Sequence, residues 1–183
     1  LAGDLVPDAV NVAGAGSDEY VRPGLPLTEK LGQVFAGLAA GALASIDIEV
    51  HGELAEHRVE ALRLAALQGI VSPLVSDPVS YVNAPLLAEQ RNVEVRFSTD
   101  AVAESFRNII TIRGSLTDGT QLSVSGTLTG PKQIEKLIEV NGYDVELPLT
   151  EHLLVLSYTD RPGIVATLGG KLGDAGINIA SMQ

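Results

Sequence analysis

Two glycine-closed turns constrain this chain more than any other feature. "RNIITIRGSLTDGTQLSVSGTLTG" (107–130) sets two alternating apolar–polar runs on either side of Asp118-Gly119. An Asp-Gly pair supplies the positive φ that a tight hairpin turn demands, and the alternation gives each run one apolar face. "EKLIEVNGYDVELP" (135–148) repeats the device around Asn141-Gly142. Successive hairpins build an antiparallel sheet, and a sheet with one apolar face needs a second layer to cover it.

The covering layer is legible upstream. Thr28 is placed to cap a helix whose apolar face carries Leu31, Val34, Phe35, Leu38 and Ala42. Gly32, Gly37 and Gly41 weaken that helix intrinsically, so their use is to admit a neighbouring backbone. "SIDIEVHG" alternates Ile46, Ile48 and Val50 against Asp47, Glu49 and His51, the pattern of a half-buried strand. "ELAEHRVEALRLAALQG" predicts a helix with Ala55, Val59, Leu62 and Ala66 on one face and Gly69 ending it. A further helix is expected in "SYVNAPLLAEQR", started or split by Pro85, and "NVEVRFS" alternates again. Helices and strands are mixed without regular alternation, so the fold class is α+β. Residues 46–149 are expected to form a self-contained domain around the 107–129 hairpin. Residues 1–27 read as an extended connector, broken by Pro7, Gly14, Gly16, Pro23, Gly24 and Pro26.

Composition narrows the function classes. A formal charge of −11 repels nucleic acid and anionic membrane over most of the surface. There is no Cys, which leaves neither a disulfide framework nor a thiolate metal site and fits a reducing, cytoplasmic setting. No apolar run approaches the roughly 20 residues of a membrane span. The amino end lacks both a signal-peptide pattern and an initiator Met, and reads as an internal cut.

Catalytic signatures do not emerge. There is no G-x-S-x-G elbow, and Glu19 stands where "GAGSDE" would need the third glycine of a dinucleotide loop. "GGKLG" (169–173) lies inside a helical run and lacks the Ser or Thr of a P-loop. His51, Glu53, Glu56 and His57 straddle a strand–helix junction, so they read as an exposed polar cluster rather than metal ligands. His152 reads as a strand-start surface residue. No catalytic residue and no metal ligand is assigned to this chain.

"HLLVLSYTDRPGIVATLGGKLGDAGINIASMQ" (152–183) has a different character. Leu153 to Tyr158 predicts a strand, Asp160 is a good N-cap, Pro162 suits a first helical turn, and Gly163 admits close approach. Ile164, Val165, Leu168 and Leu172 would form the helix's buried stripe, with Gly176 ending it and Ile177-Asn178-Ile179 starting a return strand. Backbone N–H groups at 162–165 suit a carboxylate, Asp160 suits an ammonium, and the Asn178 amide donates and accepts at once. Those three together describe an amino acid as ligand. From spacing alone, the simpler reading is that Asp160 merely caps and Asn178 merely begins a strand.

D-R-P-G-I at 160–164, followed by G-I-N-I at 176–179, resembles the first βαβ unit of an ACT domain, a ferredoxin-like module that binds amino acids. "VPDAVNVAGAG" and "LPLTEKLGQ" resemble the end of the catalytic region of the D-3-phosphoglycerate dehydrogenase family. "LRLAALQGIVSPLVSDPVSYVNAPLLAEQRNVEV" and "VSGTLTGPKQIEKLIEVNG" resemble the intervening domain of its long bacterial form. The resemblance divides the chain into a catalytic tail and connector (1–27), an intervening regulatory domain (28–149) and the first half of an ACT domain (150–183). It implies a parent enzyme that oxidises D-3-phosphoglycerate with NAD at the start of L-serine synthesis, its catalytic residues lying outside this chain. It also implies feedback by L-serine bound between ACT domains of a homo-oligomer, at Tyr158, Asp160, Gly163, Ile164 and Asn178. Lys136 matches a basic position of an anion site in the intervening domain, which Lys132 could join, although Asp144 and Pro148 stand where further basic residues would complete it. A solvated edge-strand face accounts for the two lysines equally well. Two other readings remain open: the regulatory part of an iron–sulfur L-serine dehydratase, and a non-catalytic assembly module.

Overall fold

The computed structural model describes residues 18–183, which fall into two compact units meeting at 149/150. In the first, β1 (Leu43–Gly52), β2 (Glu94–Asp100), β3 (Asn108–Leu116), β4 (Gln121–Thr129), β5 (Ile134–Val140) and β6 (Tyr143–Pro148) form one six-stranded sheet in the order β2-β1-β3-β4-β5-β6. Only β1 and β2 run parallel, and the connection between them carries α2 (Glu60–Val71) and α3 (Ala84–Gln90). Parallel neighbours cannot be joined by a tight turn, so a helical crossover is obligatory there. The fold is α+β, as the pattern predicts.

Both hairpins form, by different turn chemistry. β5 and β6 close at Val140 opposite Tyr143, with Asn141 at φ 50° and Gly142 at φ 82°. Positive φ at both loop positions is the two-residue type I′ pattern. Between β3 and β4 the paired residues end at Ser115 and Gln121, only Gly119 has positive φ, and Asp118 instead accepts the Thr120 N–H.

α1 (Gly24–Leu38) is the centre of the core. Leu27, Leu31 and Phe35 are fully buried with Ile46, Ile48, Ile110, Ile112 and Leu137. Two strand glycines make room for it: a Cβ at Gly114 would meet the Phe35 ring, and one at Gly126 would meet Leu27 and Leu31. Two helix glycines let α1 and α2 touch backbone to backbone. A Cβ on Gly32 would lie 2.5 Å from the Ala66 carbonyl oxygen, and one on Gly69 would lie 2.0 Å from that of Glu29.

Several expectations are corrected here. α1 begins at Gly24 rather than after Thr28, which is buried inside the helix with its hydroxyl donating to the Gly24 carbonyl. Because Val21, Leu25 and Leu27 are buried too, the connector reading fails for this stretch, and 46–149 is not self-contained without α1. Residues 1–17 of that connector lie outside the described residues. α1 ends at Leu38, so Ala42 is not on its face. Gly32 is a close-approach glycine, whereas a Cβ on Gly37 would meet nothing and one on Gly41 only a Leu116 methyl. The second helix is split into a 3-10 turn at Glu53–Glu56 and α2, and it runs through Gly69 to Val71 because that glycine is used for packing instead of termination.

The sheet face turned away from the helices is polar yet well satisfied. The Thr111 and Ser125 hydroxyls bond to each other, Ser125 and Ser123 both donate to the Glu139 carboxylate, and Thr127 donates to the Asn108 carbonyl. Small hydroxyl side chains can be buried there because each has a partner.

In the 150–183 unit, α4 (Ile164–Asp174) is the one regular element. The strands expected at 153–158 and 177–179 are not formed, because a strand exists only by pairing and neither stretch pairs with any described residue. His152 therefore starts no strand. The expected buried stripe is also absent: Ile164, Leu168 and Leu172 are half-buried, and Val165 is exposed.

Candidate functional site

The start of α4 offers unsatisfied groups within the 150–183 unit. Gly163 holds a left-handed conformation (φ 90°) as the residue before the helix, and no side chain caps it. That conformation favours glycine, since a Cβ would be strained there. Thr167 N–H and hydroxyl both return to the Gly163 carbonyl and the Ile164 N–H reaches back to the Arg161 carbonyl at 3.5 Å, which leaves the first-turn N–H groups of Val165 and Ala166 without a partner among the described residues. Asp160 is not the N-cap that its position suggests, and Pro162 precedes the helix rather than opening it. The DRPG turn places Gly163, not Asp160, next to the first helical residue.

Tyr158, Asp160 and Asn178 are all exposed, and none of their side chains has a partner among the described residues. An uncapped helix N-terminus attracts an anion through its free N–H groups and the aligned peptide dipoles. Asp160 lies four residues before the first residue of α4, Tyr158 six before it, and Asn178 four after its last residue. Leu154, Leu156, Ile177, Ile179 and Met182 are exposed in these segments as well, an apolar content that calls for covering.

The basic candidates in the sheet unit are placed differently. Lys136 lies on β5 and pairs with Glu146 on β6, while Lys132 is exposed in the turn before β5. Asp144 sits opposite Glu139 and Pro148 opposite Lys136, so the side of the sheet near Lys136 is acidic rather than basic. A cleft of about 500 Å³ between α2, α3 and β2 is lined by Arg63, Leu67, Glu89, Asn92 and Glu94 among others; it is open and gathers no convergent polar set.

The polar cluster at the β1–α2 junction is a structural device that the sequence pattern did not expose. His57 Nδ1 lies 2.8 Å from an Asp18 carboxylate oxygen, and the His57 ring stacks on Tyr20 at 4.9 Å. The Tyr20 backbone N–H, with help from His57, holds the Asp18 carboxyl below its ordinary range against a partial desolvation penalty. His51 contacts Glu49, and Glu53 pairs with Arg107. These groups answer one another, and no set of three or more His, Asp or Glu among the described residues is arranged for a metal ion. No helix among them is long and apolar enough to cross a membrane.

The architecture is that of an α+β domain with a helix-capped sheet, followed by a small unit that presents an open helix N-terminus. Residues 20–141 match the D-3-phosphoglycerate dehydrogenase intervening domain, and the chain belongs to that family. It is 42% identical over 183 residues to a D-3-phosphoglycerate dehydrogenase of Mycobacterium leprae, covering all of this chain and 35% of that protein. A D-3-phosphoglycerate dehydrogenase of Methanocaldococcus jannaschii is 31% identical over 185 residues, with 100% of this chain and 34% of that protein covered. One from Bacillus subtilis is 26% identical over 180 residues, covering 97% of this chain and 34% of its own. The chain thus spans about a third of the length of the curated relatives it matches.

Proposed function

We propose that this chain is the regulatory portion of an NAD-dependent D-3-phosphoglycerate dehydrogenase and that its 150–183 unit senses L-serine. The single observation that carries the ligand site is the uncapped start of α4 beside an unpaired Asp160. The serine carboxylate takes the first-turn N–H groups of Val165 and Ala166, beside Gly163 and Ile164, where the missing Gly163 side chain leaves room. Asp160 takes the ammonium, and Tyr158 and Asn178 complete the polar shell. The exposed apolar residues of the same unit support assembly into a homo-oligomer, with serine held where two subunits meet. The dehydrogenase relatives favour this reading over a serine dehydratase.

An anion site at Lys132 and Lys136 is a weaker proposal. An anion must displace Glu146 from Lys136, next to Asp144, with only the exposed Lys132 to help.

Calorimetric titration of the full-length protein with L-serine, with D-serine as control, tests the proposal. Asp160→Ala and Asn178→Ala should each weaken binding by about 1.5–3 kcal/mol, the worth of a charged or buried polar contact. Serine-free turnover of D-3-phosphoglycerate with NAD should be unchanged. Full serine affinity in both variants sinks the assignment.

A further inference from the structure

The Asn141-Gly142 turn carries reactive chemistry that its fold restrains. Of the six asparagines, Asn141 alone precedes glycine; Asn11, Asn83, Asn92, Asn108 and Asn178 precede Val, Ala, Val, Ile and Ile. A glycine leaves its backbone nitrogen unhindered, so Asn-Gly is where that nitrogen most readily attacks the asparagine side-chain carbonyl carbon. In the closed hairpin the two reacting groups are tied to different partners. The Asn141 Oδ1 accepts the Ser123 N–H of β4 at 3.0 Å, and the Gly142 N–H donates to Glu139 Oε1. Asn141 N–H also bonds the Ser123 carbonyl at 2.9 Å. Glu139 is held in turn by the Ser123 and Ser125 hydroxyls. Attack therefore needs the Asn141 side chain to leave β4 and Gly142 to leave Glu139.

That opening is local. Among the described residues β6 is an edge strand, paired on one side only, and Tyr143, Asp144, Glu146 and Pro148 on it are exposed. Elements with few buried contacts open at free energies well below global unfolding.

We propose that Asn141-Gly142 is a latent deamidation site, gated by the β5–β6 hairpin, whose conversion permanently loosens β6. Gly142 N bonds to Asn141 Cγ, and the C–N bond to the side-chain nitrogen breaks. The nucleophile's proton passes through solvent to that nitrogen, which leaves as ammonia. Water then opens the five-membered imide to aspartate or isoaspartate. Isoaspartate lengthens the turn backbone by one methylene and adds a carboxylate beside Glu139, so the two-residue loop no longer fits the Val140–Tyr143 closure. Loosening β6 also releases Lys136 from Glu146.

Ageing the folded chain, followed by peptide mapping for isoaspartate at 141, tests this against a short peptide spanning 138–145. The folded chain should convert at least about tenfold more slowly than the peptide, and faster as urea rises below the unfolding midpoint. Glu139→Ala should accelerate conversion in the folded chain, and the urea series serves alone if that variant does not fold. Converted molecules should lose amide-exchange protection at 143–148 while 108–129 keep theirs. Conversion at the peptide's rate, a rate indifferent to urea, or retained protection at 143–148 would each overturn the proposal.

Discussion

Replacing Gly69 by alanine tests the packing argument most directly. The added Cβ would sit 2.0 Å from the Glu29 carbonyl oxygen and 3.1 Å from the Gly32 Cα. Both are backbone atoms, so no side chain can swing aside. Restoring ordinary contact requires α1 and α2 to separate by about 1.4 Å at the crossing. Leu31, Phe35, Leu62, Leu67 and Ile70 pack around it at 0–1% exposure, so the separation is felt throughout the core. Overpacking of this kind costs about 1–3 kcal/mol and sometimes more. Alanine's higher helix propensity returns at most about 1 kcal/mol. The net expectation is destabilisation by roughly 2 kcal/mol, read as a lower urea midpoint at unchanged slope. Gly37→Ala is the internal control. Its Cβ meets nothing within 4 Å, so it should gain up to about 1 kcal/mol from propensity alone. A neutral or stabilised Gly69→Ala protein would mean that the helices do not cross at these glycines, and the account of the core would be wrong.

Three further outcomes follow from the ionisable groups. Burial raises the Glu29 carboxyl above its ordinary range, with Lys30 offsetting part of the effect. A raised carboxylate favours folding while protonated and loses that contribution as pH rises through its folded value, so Glu29→Gln should stabilise the domain at pH 7 and lose its advantage in acid, as thermal melts at both pH values will show. Asp18 is depressed, so its contribution is present above the unfolded Asp value and fades as pH falls through the lower folded one; Asp18→Ala should remove that acid-side loss and increase amide exchange at 18–23. Glu146→Gln should free Lys136 and allow inorganic phosphate to shift the melting temperature where the parent chain shows no shift.

The sheet was legible because its signals are local. Strand alternation and glycine turns act within a few residues, so β1 and the two hairpins could be read directly from 46–51, 107–130 and 135–148. The β1–β2 pairing is parallel and non-local, and nothing within either segment encodes it. Thr28 misled for a related reason: a hydroxyl that caps a helix and one that donates back to the carbonyl four residues earlier look alike in sequence. Gly69 misled because a helix-ending glycine and a helix-crossing glycine differ only in what lies opposite. The Asp18–His57 contact joins residues 39 apart and left no local pattern. In the 150–183 stretch the sequence pattern reads as strands at 153–158 and 177–179 that the structure does not form, since a strand's hydrogen bonds belong to its neighbour.

The two units differ in how completely their polar side chains are satisfied, and that contrast supports placing the proposed ligand site in the second. On the sheet unit, many polar side chains are answered within the fold: Thr111 by Ser125, Ser123 and Ser125 by Glu139, Lys30 by Glu135, Lys136 by Glu146, and His57 by Asp18. Polar groups already paired have little to gain from a ligand, because each new contact replaces an existing one. In the 150–183 unit the Val165 and Ala166 N–H groups of α4 and the side chains of Asp160, Tyr158 and Asn178 are matched by nothing within the described residues, and the same segments expose apolar side chains. A ligand or a second subunit there exchanges only water, so the same number of contacts yields more binding free energy. The sheet unit is accordingly built to hold its shape, and the proposed site at the helix start is where added contacts have the least to displace.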